Sequence, residues 1–195
     1  VLRPMPEDVV LEIGTGCGFL TAILSLVADR VYSVERVREL SQRSRKALDH
    51  FGVKNAALLV GDGAIGWKKY APFDVIVVSA ASPTVPQALV DQLSDGGRML
   101  IPIGTREGQE LILVRKTGFA ITQESVGGAV TFVPLLSRFA WADEHGRGNM
   151  KHTADASMPP LLEQRNPAPS IHCSRLMTPG WVIILRNGKQ CAVQP

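Results

Sequence analysis

Two periods of apolar and polar positions alternate along the chain. Val9–Ile13 is an apolar run with almost no polar alternation, the mark of a parallel strand covered on both faces. From Phe19 onward, Leu20, Ile23, Leu24 and Val27 recur at helical spacing, and that spacing predicts a first helix. A short second strand, Arg30–Val34, ends at Glu35. Val37, Leu40, Ala47, Leu48 and Phe51 then line one side of a second helix, while Arg36, Arg38, Arg43, Arg45 and Lys46 form its solvated face. Gly52 stops that helix. Ala56–Val60 reads as a third strand running into Gly61-Asp62-Gly63, and the β-branched Asp74–Ser79 reads as a central fourth strand. Pro86 suits the first turn of a helix that buries Leu89, Val90 and Leu93. The Asp95-Gly96-Gly97 turn leads into a fifth strand, Arg98–Ile103. Gln109–Arg115 and Ala129–Val133 follow with a glycine-containing connection and no helix between them, which predicts an antiparallel pair at the sheet edge. The whole pattern is α/β: an open, doubly wound, mostly parallel sheet with an antiparallel terminal strand pair.

Past about Ala142 the periodicity fades. Residues 144–169 are rich in Gly, Pro and polar residues, so 143–195 is expected to be an irregular extension of a domain formed by 1–142. Within it, Trp181–Leu185 and Gln190–Val193 flank Asn187-Gly188, a hairpin signal. The chain has 195 residues, 45% of them hydrophobic, enough for one real core. A net charge of +3 without a basic block argues against a nucleic-acid partner. No apolar run approaches the roughly 18–20 residues of a membrane span, so no membrane partner is expected. Cys17, Cys173 and Cys191 are odd in number and lack metal-ligand spacing, which fits a reducing, cytoplasmic setting and no metal site. The first residue is Val1 rather than methionine, and the N-terminus of a longer protein is expected upstream.

Chemistry-bearing residues fall at the carboxyl ends of consecutive predicted strands, where ligands bind in such sheets. The first group is Gly14-Thr15-Gly16-Cys17-Gly18, a tight turn between strand and helix that brings bare backbone N–H groups to a ligand. Glu35 comes 17 residues after Gly18, where a carboxylate accepts from a ribose diol; the competing reading is an acid favoured by the helix N-terminus. Asp62, between Gly61 and Gly63, can accept from an exocyclic amine such as adenine N6, although Asp-Gly turns are also common on structural grounds. Ser79-Ala80-Ala81 follows the central strand with small residues that leave room for a substrate. The dinucleotide fingerprint G-x-G-x-x-G fails at Phe19, and the pattern is G-x-G-x-G instead. That favours a nucleotide-like ligand with no pyrophosphate at the turn, and S-adenosyl-L-methionine qualifies.

The segments VLEIGTGCGFLTAIL, RVYSVER, VGDGAIGW, APFDVIVVSAASPTVPQALVDQL, GGRMLIPIG and TFVPL, in this order over Val9 to Leu135, resemble the protein-L-isoaspartate O-methyltransferases. Those are class I, Rossmann-like methyltransferases. The resemblance implies methyl transfer from S-adenosyl-L-methionine to the side-chain carboxylate of L-isoaspartyl residues in damaged proteins, giving an ester that collapses to a succinimide. It implies cofactor positions at Glu12, Gly14, Thr15, Gly16, Gly18, Glu35, Asp62 and Gly63, and a substrate-side segment at Val133-Pro134-Leu135. Leu136 stands where members often carry a threonine, so it is assigned no polar contact. The family also has a Ser or Thr upstream of the first strand that positions the isoaspartyl group, and nothing here matches it. The implied partners are isoaspartyl-containing proteins or peptides, and the chain is expected to be a monomer.

This chemistry nominates no catalytic side chain. A carboxylate with a pKa near 4 is already ionised at pH 7, so in-line positioning carries the rate. His50 and the three tail histidines, His145, His152 and His172, read as structural or solvated, and Cys17 as a small turn-filling residue. Three competing readings remain: a different small acceptor, a cofactor-binding module acting through protein contacts without catalysis, and, more remotely, a nicotinamide dehydrogenase.

Overall fold

The computed structural model describes residues 1–137, 139–141, 182–186 and 189–193. The chain divides into two compact units, Val1–Asp143 and Glu144–Pro195. In the first, the elements run β1 (Val9–Ile13), α1 (Phe19–Val27), β2 (Arg30–Glu35), α2 (Arg38–His50), β3 (Ala56–Val60), two 3₁₀ turns (Gly63–Ile65 and Lys68–Tyr70), β4 (Phe73–Val78), α3 (Gln87–Asp91), β5 (Leu93–Gly104), β6 (Gln109–Thr117) and β7 (Ala120–Val130). Among the described residues these strands form one seven-stranded sheet in the order β3-β2-β1-β4-β5-β6-β7. The β3-β2-β1-β4-β5 pairs are parallel, and β5-β6 and β6-β7 are antiparallel. The order reverses at β1, between β2 and β4, and this switch point is where such sheets open a ligand crevice.

Alternate side chains of the central strands feed two apolar clusters, one per face. Val10, Val31 and Val75 pack with Leu24 of α1 and with Ala28 just past its end. Leu11, Ile13, Tyr32, Val34, Ile76 and Val78 pack with Ala64, Leu89 and Val90. Both faces of β1 are therefore buried, which is why its sequence shows no polar alternation. Tyr32 stacks on Tyr70 at 4.3 Å between ring centroids and meets Trp67 edge-on at 5.5 Å. Gln92 ties this layer together: Trp67 N–H donates to its Oε1, and its Nε2 donates to the Ile65 and Ala88 carbonyls.

The doubly wound sheet and its antiparallel end stand as the sequence predicts, and β1 and β3 have the predicted bounds. Several side-chain expectations are corrected. On α1 the buried positions are Thr21 and Leu24, whereas Ile23 is 39% exposed. On α2 they are Ser41, Ser44 and Leu48, while Leu40 and Phe51 are exposed. At Ser44 a small side chain is needed because α2 runs so close to the glycine turn: a Cβ on Gly18 would lie 3.1 Å from Ser44 Cβ. Arg45 is not wholly on the solvated face, since its guanidinium donates to the Ala56 carbonyl and pairs with Asp49 at 2.8 Å. Leu93 is buried but belongs to β5, whose residues 94–97 bulge out between the pairs Phe73–Leu93 and Val75–Arg98. The last strand is Ala120–Val130, not Ala129–Val133. It is polar and exposed along most of its length, so its strand state comes from the ladder with β6 rather than from an apolar pattern.

In the second unit, β8 (Val182–Arg186) and β9 (Lys189–Val193) pair antiparallel, as the hairpin signal predicts. The irregular stretch expected over 144–169 lies outside the described residues. No helix among the described residues is long and apolar enough to cross a membrane.

Candidate functional site

The carboxyl ends of β1, β2, β3 and β4 converge on the glycine turn. Gly14 continues β1 by donating its N–H to the Val34 carbonyl at 2.8 Å. Gly14, Gly16 and Gly18 have φ of 94°, 55° and 85°, in the left-handed region that side chains avoid. Gly14 sits against Ser79, and a Cβ there would lie 3.4 Å from Ser79 Cβ. Gly16 differs: a Cβ there would meet nothing within 4 Å, so its backbone borders open space. Gly18 N-caps α1 and donates its N–H to Thr15 O. Cys17 is exposed.

Beneath the turn lies a chain of hydroxyls ending on a carboxylate. Glu12 is fully buried in β1, and its Oε2 accepts from both Thr21 Oγ1 and Ser33 Oγ. Ser33 has one hydroxyl proton, already given to Glu12, so Thr15 Oγ1 is the donor in its 2.5 Å contact with Ser33. Thr15 and Glu12 therefore brace the turn from inside, with their side chains turned away from the open side. Glu12 Oε1 is buried with no partner. Burial pushes the Glu12 pKa up to about 7, against the lowering effect of the Ser33 and Thr21 bonds, and the nearby Glu35 charge adds to the rise.

Glu35, 6% exposed, closes the turn from the side. Its Oε2 accepts the Gly16 N–H at 3.0 Å and its Oε1 accepts the Val37 N–H at the start of α2. The helix-terminus role weighed from sequence is real, and the same carboxylate also holds the glycine turn. Each of its oxygens keeps a second acceptor position. Asp62 follows β3, half-buried; its Oδ1 accepts the Ala64 N–H at 2.9 Å and its Oδ2 accepts the Ser137 hydroxyl at 2.7 Å. Gly63 is required by packing, because a Cβ on it would overlap Ile13 Cγ2 and approach Leu135.

Val133-Pro134-Leu135 lies along the chain just past β4. Leu135 N–H donates to the Ala81 carbonyl and Ala81 N–H to the Val133 carbonyl. Leu135 is buried, Pro134 half-buried and Val133 57% exposed. Of Ser79-Ala80-Ala81, expected to leave room for a substrate, Ala80 and Ala81 are buried, Ala81 stitched to the 133–135 segment, while Ser79 is half-buried. Ser33, Thr21 and Ser137 are the site residues that sequence reasoning missed. None of them belongs to a spacing motif; each matters only through the partner that the fold brings to it.

Parallel strands with a glycine turn after β1, an acid ending β2 and another following β3 define the Rossmann-like methyltransferase fold. The solved structure of a protein-L-isoaspartate O-methyltransferase shares it, with a TM-score of 0.64 and 28% identity over 69% of this chain and 44% of that one. A Plasmodium falciparum structure described as a beta-aspartate methyltransferase (PCMT), in complex with S-adenosyl-L-homocysteine, superposes with a TM-score of 0.58 at 25% identity, covering 68% of this chain and 67% of that one. The chain belongs to the protein-L-isoaspartate(D-aspartate) O-methyltransferase (PCMT) family, whose model matches residues 2–140. Protein-L-isoaspartate O-methyltransferase 2 of Geotalea uraniireducens (strain Rf4) is 46% identical over 146 residues, 74% of this chain and 66% of the relative. The protein-L-isoaspartate O-methyltransferase of Dictyoglomus turgidum (strain DSM 6724 / Z-1310) is 46% identical over 137 residues, 70% of this chain and 62% of the relative. The chain thus spans less than two thirds of the length of these curated relatives.

Proposed function

We propose that the 1–142 domain binds S-adenosyl-L-methionine and methylates the side-chain carboxylate of L-isoaspartyl residues in proteins, as a cytoplasmic monomeric repair enzyme. The observation that carries this reading is the juxtaposition of the Gly16 backbone, Glu35 and Asp62 at the ends of adjacent strands β1, β2 and β3. The donor set fits the group. Glu35 and Asp62 retain acceptor positions for hydroxyl and amine donors, and Gly16 leaves the space beside the turn free of side chain. In this reading Gly14–Gly18 takes the amino-acid end, Glu35 the ribose diol and Asp62 the adenine amine.

Bound there, S-adenosyl-L-methionine supplies a methyl group on a cationic sulfonium to an acceptor carboxylate. The residues around it hold and orient. Glu35 keeps the turn in its binding shape through Gly16 N–H, and Glu12, Ser33 and Thr15 keep the turn from collapsing onto β2. Val133-Pro134-Leu135, anchored to Ala81, offers an exposed apolar edge at Val133 on the acceptor side. No base is needed, because the acceptor carboxylate is ionised at neutral pH; the rate comes from alignment.

The test is methyl transfer to an isoaspartyl peptide beside the same peptide with normal aspartate, using labelled S-adenosyl-L-methionine. Selective labelling of the isoaspartyl peptide is expected. Equal labelling of both would remove the isoaspartyl assignment, and cofactor binding without any transfer would make the chain a binding module.

A further inference from the structure

Ser137 is a buried polar side chain outside the strands, held by hydrogen bonds from both its backbone and its hydroxyl. It is 8% exposed. Its N–H donates to the Trp141 carbonyl at 2.9 Å, its carbonyl accepts from Ala140 N–H, and Trp141 N–H returns to the Leu135 carbonyl. The backbone groups of Leu135, Ser137, Ala140 and Trp141 are therefore tied to one another around this residue. Ser137 Oγ accepts the Phe139 N–H at 3.1 Å, and its hydroxyl proton goes to Asp62 Oδ2, 75 residues away in sequence, at 2.7 Å.

The geometry points to Ser137 as a positioning residue that sets the rotation of the Asp62 carboxylate and thereby the site's preference for an amino over an oxo group on the purine. This rests on the reading that Asp62 faces the adenine amine. Ala64 N–H holds Oδ1 and the Ser137 hydroxyl holds Oδ2, so both oxygens are anchored and the carboxylate cannot turn about its Cβ–Cγ bond. An anchored carboxylate presents fixed lone pairs and no donor. It rewards an amine and repels a carbonyl. Without the hydroxyl, Oδ2 is free to swing and its lone pairs lose their aim. Leu135, whose carbonyl accepts the Trp141 N–H, also ends the Val133-Pro134-Leu135 segment, so the acceptor-side segment and the adenine-side carboxylate are linked through Ser137.

The experiment compares S-adenosylhomocysteine with S-inosylhomocysteine by calorimetry in wild-type protein, Ser137→Thr, Ser137→Val and both Asp62→Ala and Asp62→Ala/Ser137→Val. Thr and Val add the same bulk and differ in the hydroxyl, so a general packing defect appears in both. Wild type and Ser137→Thr are expected to prefer the adenosyl ligand alike, and Ser137→Val to lose about three- to tenfold of that preference, the scale of one charge-assisted bond acting at one remove. In the Asp62→Ala background the Val substitution is expected to change nothing. An undiminished preference in Ser137→Val, or an effect that persists without Asp62, overturns the role of Ser137 alone. Absence of S-adenosylhomocysteine binding to wild type overturns it together with the proposed function.

Discussion

Glu12 shows how a single residue can be structural and electrostatic at once. Its carboxylate is fully buried, takes two hydroxyl donors on Oε2 and leaves Oε1 unpartnered, so the ionised form is poorly solvated. Folding raises its pKa from 4.5 to about 7. Between those values the native state holds a proton that the unfolded chain has released. Stability from this group is therefore complete below about pH 4.5 and lost as pH rises to about 7. Glu12→Gln, which keeps an acceptor for Thr21 and Ser33, is expected to flatten this decline and to gain up to about 3 kcal/mol relative to wild type at pH 8. Urea unfolding at pH 5 and pH 8 checks it; parallel slopes in both proteins would assign the decline to other groups. Asp62→Ala is expected to weaken S-adenosyl-L-methionine binding by roughly 1–3 kcal/mol, read by calorimetry, and unchanged affinity would remove Asp62 from the site.

At the scale of elements, the joints are made by side chains reaching to backbone. α1 ends at Val27 with Ala28 extended, and the turn that follows is held by Asn55, whose Nδ2 donates to the carbonyls of Ser25, Ala28 and Asp29. The Ser25 carbonyl lies in the last turn of α1, where a helix end leaves carbonyls without intrahelical partners, and those of Ala28 and Asp29 follow it in the turn. Asn55→Ala is expected to cost about 1–2 kcal/mol and to speed amide exchange in the last turn of α1 before that of β1; uniform exchange along both would refute the local role. The glycine turn is built by the same means, with Glu35 bridging Gly16 and the start of α2. Helix existence and the bounds of β1 and β3 were legible because periodicity and breakers are local. Which helix face lies inward was not: Ser41 and Ser44 are buried where Leu40 and Ala47 were expected, and at Ser44 closeness to Gly18, not hydrophobicity, decides the contact.

The whole molecule adds contacts that no local pattern encodes. Arg98 of β5 donates from Nε to the Leu2 carbonyl and from Nη2 to the Arg3 carbonyl and Asp8, pinning the chain's first residues to the sheet. Its 2.7 Å pair with Asp8 is little exposed on either side, so Arg98→Ala leaves an acid without its partner and is expected to cost about 3 kcal/mol in chemical unfolding. A cost below about 1 kcal/mol would mean that solvent replaces the pair. The sequence by itself determined the strand–helix alternation, the glycine turn and the placing of Glu35 at the end of β2 and Asp62 after β3, because each depends on residues near one another in the chain. Its motifs were specific enough to point to the family. Only the tertiary structure decided what each acid touches: that Glu35 holds Gly16, that Glu12 is buried beneath Thr15 and Ser33, that the polar Ala120–Val130 is a strand, and that Ser137 reaches Asp62. Those outcomes depend on burial and on hydrogen-bond partners drawn from distant parts of the chain, and no spacing rule carries them.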